Sequence, residues 1–278
     1  MKQKQHLNLI FPQYQGGGND TSTYFGGIEI KNNYFKNTEF KEITISLDKT
    51  LEIKHDILGY DVIVQQLKEA KNVLDLEKPT TIFTIGGGCD ADIIPIAYLH
   101  KNITSDFTVL WFDAHGDINS PAESNSKLFY GMPIRFLLEN NNDKINKILG
   151  TQLRKSQLLL IGNRDLDTAE IDYINKNQIA NVSIKEIEQD NDIIIHKLKT
   201  QNCNNVYIHI DLDVLDPESF PYVPVPSKNG LKAELFGGIL DKIKENFTII
   251  GIGLFEYMES HKKEIEIIKK IIEMGKGF

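Results

Sequence analysis

The residues best suited to chemistry are Asp113, His115 and Asp117, which alternate with Ala114 and Gly116 after the apolar run Val109-Leu110-Trp111-Phe112. Side chains of an extended chain change face at every residue. The three groups therefore fall on one side, where a strand runs out into a loop. Two carboxylates and an imidazole packed together repel and desolvate one another unless a cation lies among them. A carboxylate-rich set with one imidazole suits a hard or borderline divalent metal. A second tract, Val206-Tyr207-Ile208-His209-Ile210-Asp211-Leu212-Asp213, echoes the first. Asp211 and Asp213 share a face, and His209 has the same parity. His209 reads as a partner orienting a carboxylate, as a core histidine, or as a ligand. Two acidic strand ends in one chain point to a shared metal site.

Such groups need a scaffold that brings distant strand ends together. Apolar runs and turn residues predict strands over 6–11, 42–47, 80–85, 107–113, 157–161, 180–184, 205–211 and 247–253. Helical spacing predicts helices over 56–76, 91–100, 132–138, 168–175, 185–199, 232–244 and 259–273. The glycine-rich 15–20 segment reads as a flexible loop. Strands alternating with helices throughout imply an α/β, doubly wound, mainly parallel sheet flanked by helices, in a single domain spanning 1–278. Ligands of such sheets bind outside the carboxyl ends of the strands. The loops 86–90, 113–130, 162–170, 211–229 and 253–258 all lie there.

The chain has 278 residues, 41% hydrophobic and 25% charged, enough for a large core. A formal charge of −8 argues against a nucleic-acid or anionic-membrane partner, since either wants a basic footprint. No apolar run approaches the ~18 residues of a membrane span. The apolar run after Met1-Lys2-Gln3-Lys4-Gln5-His6 is too short for the core of a signal peptide. Two cysteines, Cys89 and Cys203, do not make a disulfide framework, so a reducing cytoplasm is expected.

The motifs, in order and spacing over roughly 80–260, resemble those of the arginase/agmatinase/formimidoylglutamase family, the ureohydrolases. Trp111-Phe112-Asp113-Ala114-His115-Gly116-Asp117-Ile118-Asn119 is similar to the family's second metal motif. Ile210-Asp211-Leu212-Asp213-Val214-Leu215-Asp216-Pro217 resembles a later one. Gly86-Gly87-Gly88-Cys89 sits where the first belongs, Tyr130-Gly131-Met132-Pro133 where a loop ends, and Phe255-Glu256 where the last falls.

The resemblance implies an arginase-like three-layer sandwich. It also implies an amidinohydrolase that cleaves the guanidino C–N bond of arginine or N-hydroxyarginine, giving ornithine and urea or hydroxyurea. It implies two Mn2+ ions roughly 3.5 Å apart, bridged by a hydroxide. Asp113 and Asp211 would bridge them. His115 and Asp213 would complete one site, Asp117 and Cys89 the other. Asp117 would move the proton to the leaving amine, and Glu256 would pair with the cationic head of the substrate. Asn119, Ser126 and Asp167 match positions that hold the α-carboxylate and α-amine, and Glu170 falls near the amine. Beside this, Asp167 and Glu170 suit the first turn of a helix, and Ser126 suits a solvated loop.

Three positions depart from the pattern. Cys89 replaces a histidine, and a thiolate pairs better with Zn2+ or Fe2+ than with Mn2+. Some relatives that act on N-hydroxyarginine look similar in carrying cysteine here. Tyr130 replaces a shuttling histidine, and its ordinary pKa near 10 suits orientation rather than proton transfer. Phe220-Pro221-Tyr222-Val223-Pro224-Val225-Pro226 replaces a run that borders the pocket. The alternatives are a formimidoylglutamase-type hydrolase with Arg135 or Arg154 as carboxylate partner, a single-metal deacetylase-like hydrolase on Asp113, His115 and Asp213, and a non-catalytic binding protein of the same fold. A homo-oligomer stays open.

Overall fold

The computed structural model describes residues 5–47, 50–102 and 107–277. Residues 1–4, which open the N-terminal segment weighed above, lie outside them. The strands are β1 (His6–Phe11), β2 (Lys41–Glu42), β3 (Ile53–Lys54), β4 (Ile57–Leu58), β5 (Thr81–Gly86), β6 (Phe107–Phe112), β7 (Leu158–Ile161), β8 (Ala180–Val182), β9 (Asn205–Asp211) and β10 (Thr248–Phe255). Eight of them form one sheet in the order β2-β1-β5-β10-β9-β6-β7-β8, while β3 and β4 make a separate small ribbon. The pairings of the large sheet are all parallel.

Parallel strands carry helices on both faces, so both faces are buried and the strands are apolar throughout. β6, Phe-Thr-Val-Leu-Trp-Phe, is buried at every position. One face packs Leu9, Ile82, Val109, Trp111, Leu160 and Tyr207 into a core. The other packs Ile10, Ile85, Leu110, Phe112, Ile208 and Ile252. This α/β three-layer arrangement is the one the strand–helix alternation predicts.

Several elements differ from the sequence expectation. A helix at Ser22–Tyr34, unforeseen, follows the glycine loop, and part of that loop is a 3-10 turn at Gln15–Gly17. The predicted 42–47 strand is only the short edge β2, although Ile43 and Ile45 are buried. Their alternation reports burial rather than pairing. The predicted 185–199 helix is two, Ile184–Gln189 and Ile193–Thr200, separated by Asp190-Asn191-Asp192. The last helix begins only at Glu266. A further helix, Asp143–Leu149, is capped by Asn142, whose side chain accepts from the Lys144 and Ile145 amides. No helix among the described residues is long and apolar enough to cross a membrane.

Candidate metal centre and active site

β6, β9, β10 and β5 are neighbours, so their carboxyl ends open at one place. Register pairs Trp111 with His209 and Phe112 with Ile210, so Asp113 emerges beside Asp211. Phe255 pairs with Asp211, which puts Glu256 on the far side. Asp213 reaches the site by a tight turn rather than by strand parity. Its amide donates to Asp211 Oδ1 at 2.7 Å, and residues Leu212–Val214 form a 3-10 turn.

On one flank, His115 Nδ1 lies 2.7 Å from Asp213 Oδ2 and 3.6 Å from Asp113 Oδ1. Ligand atoms of Asp113, His115 and Asp213 all lie within 4.8 Å of one another. On the other flank, the Cys89 thiol donates to Asp211 Oδ2 at 3.1 Å, and the Cys89 amide donates to Glu256 Oε1 at 3.3 Å. Ligand atoms of Cys89, Asp211 and Glu256 form a second group within 4.8 Å, and those of Cys89, Asp113, Asp117 and His209 a third. Asp113 is common to the first and third.

Burial of so many acids raises their pKa values. Burial, with Asp213 nearby, pushes Asp113 up to about 6. Asp211 and Asp117 are pushed well above the usual carboxylate range by burial and by neighbouring carboxylates, as is Glu256. The Cys89 thiol is pushed up by burial and then by Asp211. Burial disfavours protonated His115, but the Asp113 and Asp213 carboxylates outweigh it and hold the imidazole charged far above its ordinary range. Asp117 Oδ2 is buried and has no hydrogen-bond partner among the described residues. A set of crowded acids with an orphaned oxygen is what divalent cations would satisfy, so these residues fit a metal centre.

A pocket of about 130 Å3 opens over these groups. Cys89, His115, Asp117, Asp211, Asp213 and Glu256 line its floor, Tyr130 one wall, and Pro224 and Val225 of the proline-rich loop another. Tyr14, Gly17, Asp20, Ser22, Thr23 and Gly88 complete it, and no lysine or arginine is among the described residues that line it. Asp117 and Glu256 hold left-handed backbone conformations, φ 50° and 56°, which non-glycine residues rarely adopt. Such conformations persist only where the surroundings over-determine them, and they cluster at functional sites.

The other sequence candidates stand beside the pocket rather than in its lining. Asp167 and Glu170 form a reciprocal cap on the Thr168–Asn177 helix, and Glu170 also accepts from the Ile118 amide at 3.2 Å. Asn119 Nδ2 donates to Asp167 Oδ2 at 3.0 Å. Ser126 Oγ accepts from the Leu128 amide at 3.3 Å. None of the four lines the pocket. Arg135 donates to the Ile118 carbonyl and to Glu123 and is not among the residues that line the pocket. The sequence reading missed Asp92, which sits against His209, and the wall formed by Tyr14, Asp20, Ser22 and Thr23. The glycine run at 16–18 was the only signal for that wall.

Comparison with known proteins agrees with this architecture. Arginase from Staphylococcus aureus (strain MRSA252) is 24% identical over 225 residues, covering 78% of this chain and 74% of that protein. The structure of Entamoeba histolytica arginase in complex with L-ornithine superposes with a TM-score of 0.87 at 19% identity, covering 99% of both chains. Formimidoylglutamase from Bacillus subtilis subsp. subtilis str. 168 superposes at 0.72 and 16% identity, covering 99% of this chain and 86% of its own. The sequence profile of the Arginase family matches residues 20–265, most of the length, and the chain belongs to that family.

Proposed function

We propose that this protein hydrolyses the guanidino C–N bond of arginine or N-hydroxyarginine at a pair of divalent cations, giving ornithine and urea or hydroxyurea. One observation carries the reading. Asp113 belongs both to the group with His115 and Asp213 and to the group with Cys89 and Asp117, so a single carboxylate can face two cations. Asp211, hydrogen-bonded to the Cys89 thiol and to the Asp213 amide, would be the second carboxylate to hold the cations. Mn2+ suits the flank of His115, while Cys89 turns the other toward Zn2+ or Fe2+.

Cations held there would acidify water at neutral pH and polarise the substrate. The protein groups then divide the remaining work. Asp117, with its unpartnered buried oxygen, takes a proton and returns it to the leaving amine. Glu256 supports the planar cationic head of the substrate. Tyr130, pushed up to about 12 by burial and by Glu256, stays neutral and orients substrate as a donor rather than shuttling protons. Asp20, Ser22 and Thr23, which line the pocket, join Asn119, Ser126, Asp167 and Glu170 as candidates for holding the amino-acid end. Ser22 Oγ is buried with no partner among the described residues, and Ser22 begins a helix, where a carboxylate is favoured. Among the described residues the lining carries no lysine or arginine, which favours a guanidinium over a substrate with a second carboxylate.

The test is a substrate panel on protein of measured metal content. Metal-dependent release of urea or hydroxyurea with ornithine is the expected result. Formamide from formimidoylglutamate without guanidine turnover would replace this reading by a formimidoylglutamase. Amide cleavage with one metal per chain would replace it by a deacetylase-like hydrolase. Absence of metal-dependent turnover on every guanidino compound would leave a binding protein.

A further inference from the structure

We infer that His209 is a direct ligand of the cation on the Cys89 flank, held for that task by Asp92 and Tyr207. The inference rests on the proposed metal-dependent function and adds a ligand from the body of β9. His209 Nε2 lies 3.3 Å from Cys89 Sγ. Two ligands of one tetrahedral ion, at ~2.3 Å for sulfur and ~2.0–2.1 Å for nitrogen, stand about 3.5 Å apart. Its ligand atom also lies within 4.8 Å of those of Asp113 and Asp117.

The ring is fixed from every side. Nδ1 sits 2.8 Å from Asp92 Oδ2, and the Tyr207 hydroxyl donates to the other oxygen of Asp92. A carboxylate on Nδ1 leaves the Nε2 lone pair facing the cluster, the arrangement that orients metal-bound histidines. Trp111 stacks on one face of the imidazole at 3.4 Å and 7°, and Phe255 on the other at 4.8 Å and 12°. β10 makes room for the support: a Cβ on Gly251 would lie 2.3 Å from the Tyr207 ring, and one on Gly253 would lie 2.6 Å from Asp92 Oδ2.

Proton counting favours a ligand over a packed core histidine when Asp92 is the acceptor for Nδ1. With Nδ1–H given to Asp92, Nε2 can only accept. Unless a further proton sits on Asp211, the one thiol proton of Cys89 must then serve both Nε2, at 3.3 Å, and Asp211 Oδ2, at 3.1 Å. It cannot serve both. A cation in its place satisfies thiolate, imidazole and carboxylate together, with the thiol proton released to solvent. The resulting sulfur, nitrogen and oxygen set favours Zn2+, Fe2+ or Co2+ over Mn2+.

The experiment titrates metal-free protein with Co2+ and follows elemental content, the thiolate-to-cobalt charge-transfer band and circular dichroism. Wild type should bind two Co2+ per chain and show the band. His209→Asn should keep its circular dichroism and the ion near His115. It should weaken the second ion by at least about 100-fold, beyond the roughly 10–100-fold cost of losing an outer hydrogen-bond partner. Asp92→Asn should fall within that smaller range. Should His209→Asn not fold, X-ray absorption on zinc-loaded wild type decides, because two bound imidazoles per two zinc ions are expected. Unchanged stoichiometry, affinity and band in His209→Asn, or one bound imidazole in wild type, overturns the inference alone. A wild type that binds no cation even near His115 defeats the proposed function instead.

Discussion

The two flanks of the pocket floor are built from similar acids yet differ in access and softness. The His115 side chain is 26% exposed, and its partners Asp113 and Asp213 supply only oxygen. On the other flank Cys89, His209 and Asp92 are sealed to 1% or less, and the donors include sulfur. A hard, open position suits a cation that exchanges and meets substrate. A soft, sealed one suits a cation that stays and holds the strand ends together. The two groups of candidate ligands are thus divided by chemistry as well as by place.

The largest effect should come where the flanks meet. Asp113→Ala removes the carboxylate common to two ligand groups. Both cations should be lost, and activity should fall by more than the ~10²–10³-fold cost of a single preorganised electrostatic group. Elemental analysis of the purified variant checks this. Retention of one ion per chain would show that the flanks load independently.

Removing the metal tests what the crowded acids cost. A ligand at ~1,000 times its Kd stabilises by about 4 kcal/mol, roughly 10 °C in Tm for a domain of this size. Chelation should lower Tm by that order, because Asp113, Asp117, Asp211 and Glu256 then stand buried without a compensating charge. Thermal scans with and without chelator, followed by single-metal add-back, give the outcome. Zn2+ should restore more stability than Mn2+ if the sealed flank is the structural one.

The comparison also shows what a sequence reveals. β1 and β9 appear with their bounds because buried parallel strands are uninterrupted apolar runs. Asp113, His115, Asp211 and Asp213 stand out in the sequence because two apolar strands each run out into titratable groups spaced two apart. The sealed flank is less so. Asp92 lies 117 residues from His209 in sequence, and only the fold joins them. The Ser22–Tyr34 helix escapes periodicity because it packs through glycine: a Cβ on Gly26 would lie 1.7 Å from the Tyr257 carbonyl oxygen. Close backbone approach leaves no apolar stripe to read. Asn140-Asn141-Asn142 marks a helix end, yet Asn142 also starts the next one, so one signal hides two boundaries.

A smaller effect should come from the sulfur itself. Cys89→Ser keeps the volume but trades a soft donor for a hard one. The preference for Zn2+ over Mn2+ at the sealed flank should fall by about 10-fold, or ~1.4 kcal/mol, while the flank of His115 is unmoved. Competition between the two metals, read by elemental analysis at fixed free concentrations, measures it. An unchanged ratio would mean that the softness assigned to this flank does not come from Cys89.

The smallest effect concerns the rim rather than the floor. Glu29 on the Ser22–Tyr34 helix accepts from Tyr257 OH at 2.6 Å, from Ser260 Oγ at 2.9 Å and from the His261 amide at 2.8 Å. It ties the helix that carries Ser22 and Thr23 to the segment after Glu256. Burial raises its pKa, but these hydrogen bonds outweigh that and hold it below 4.5. A depressed carboxylate contributes stability above its unfolded pKa, and that contribution is lost as pH falls through the folded value. Glu29→Gln should therefore be slightly less stable than wild type at neutral pH, by under about 1 kcal/mol given solvent screening. The gap should close in acid, below the folded pKa of Glu29. Thermal scans across that range, beside KM and kcat, separate rim from floor: KM should rise a few-fold while kcat and metal content hold. A loss of metal in this variant would mean that the rim supports the cations too, and the division between an open flank and a sealed one would have to be redrawn.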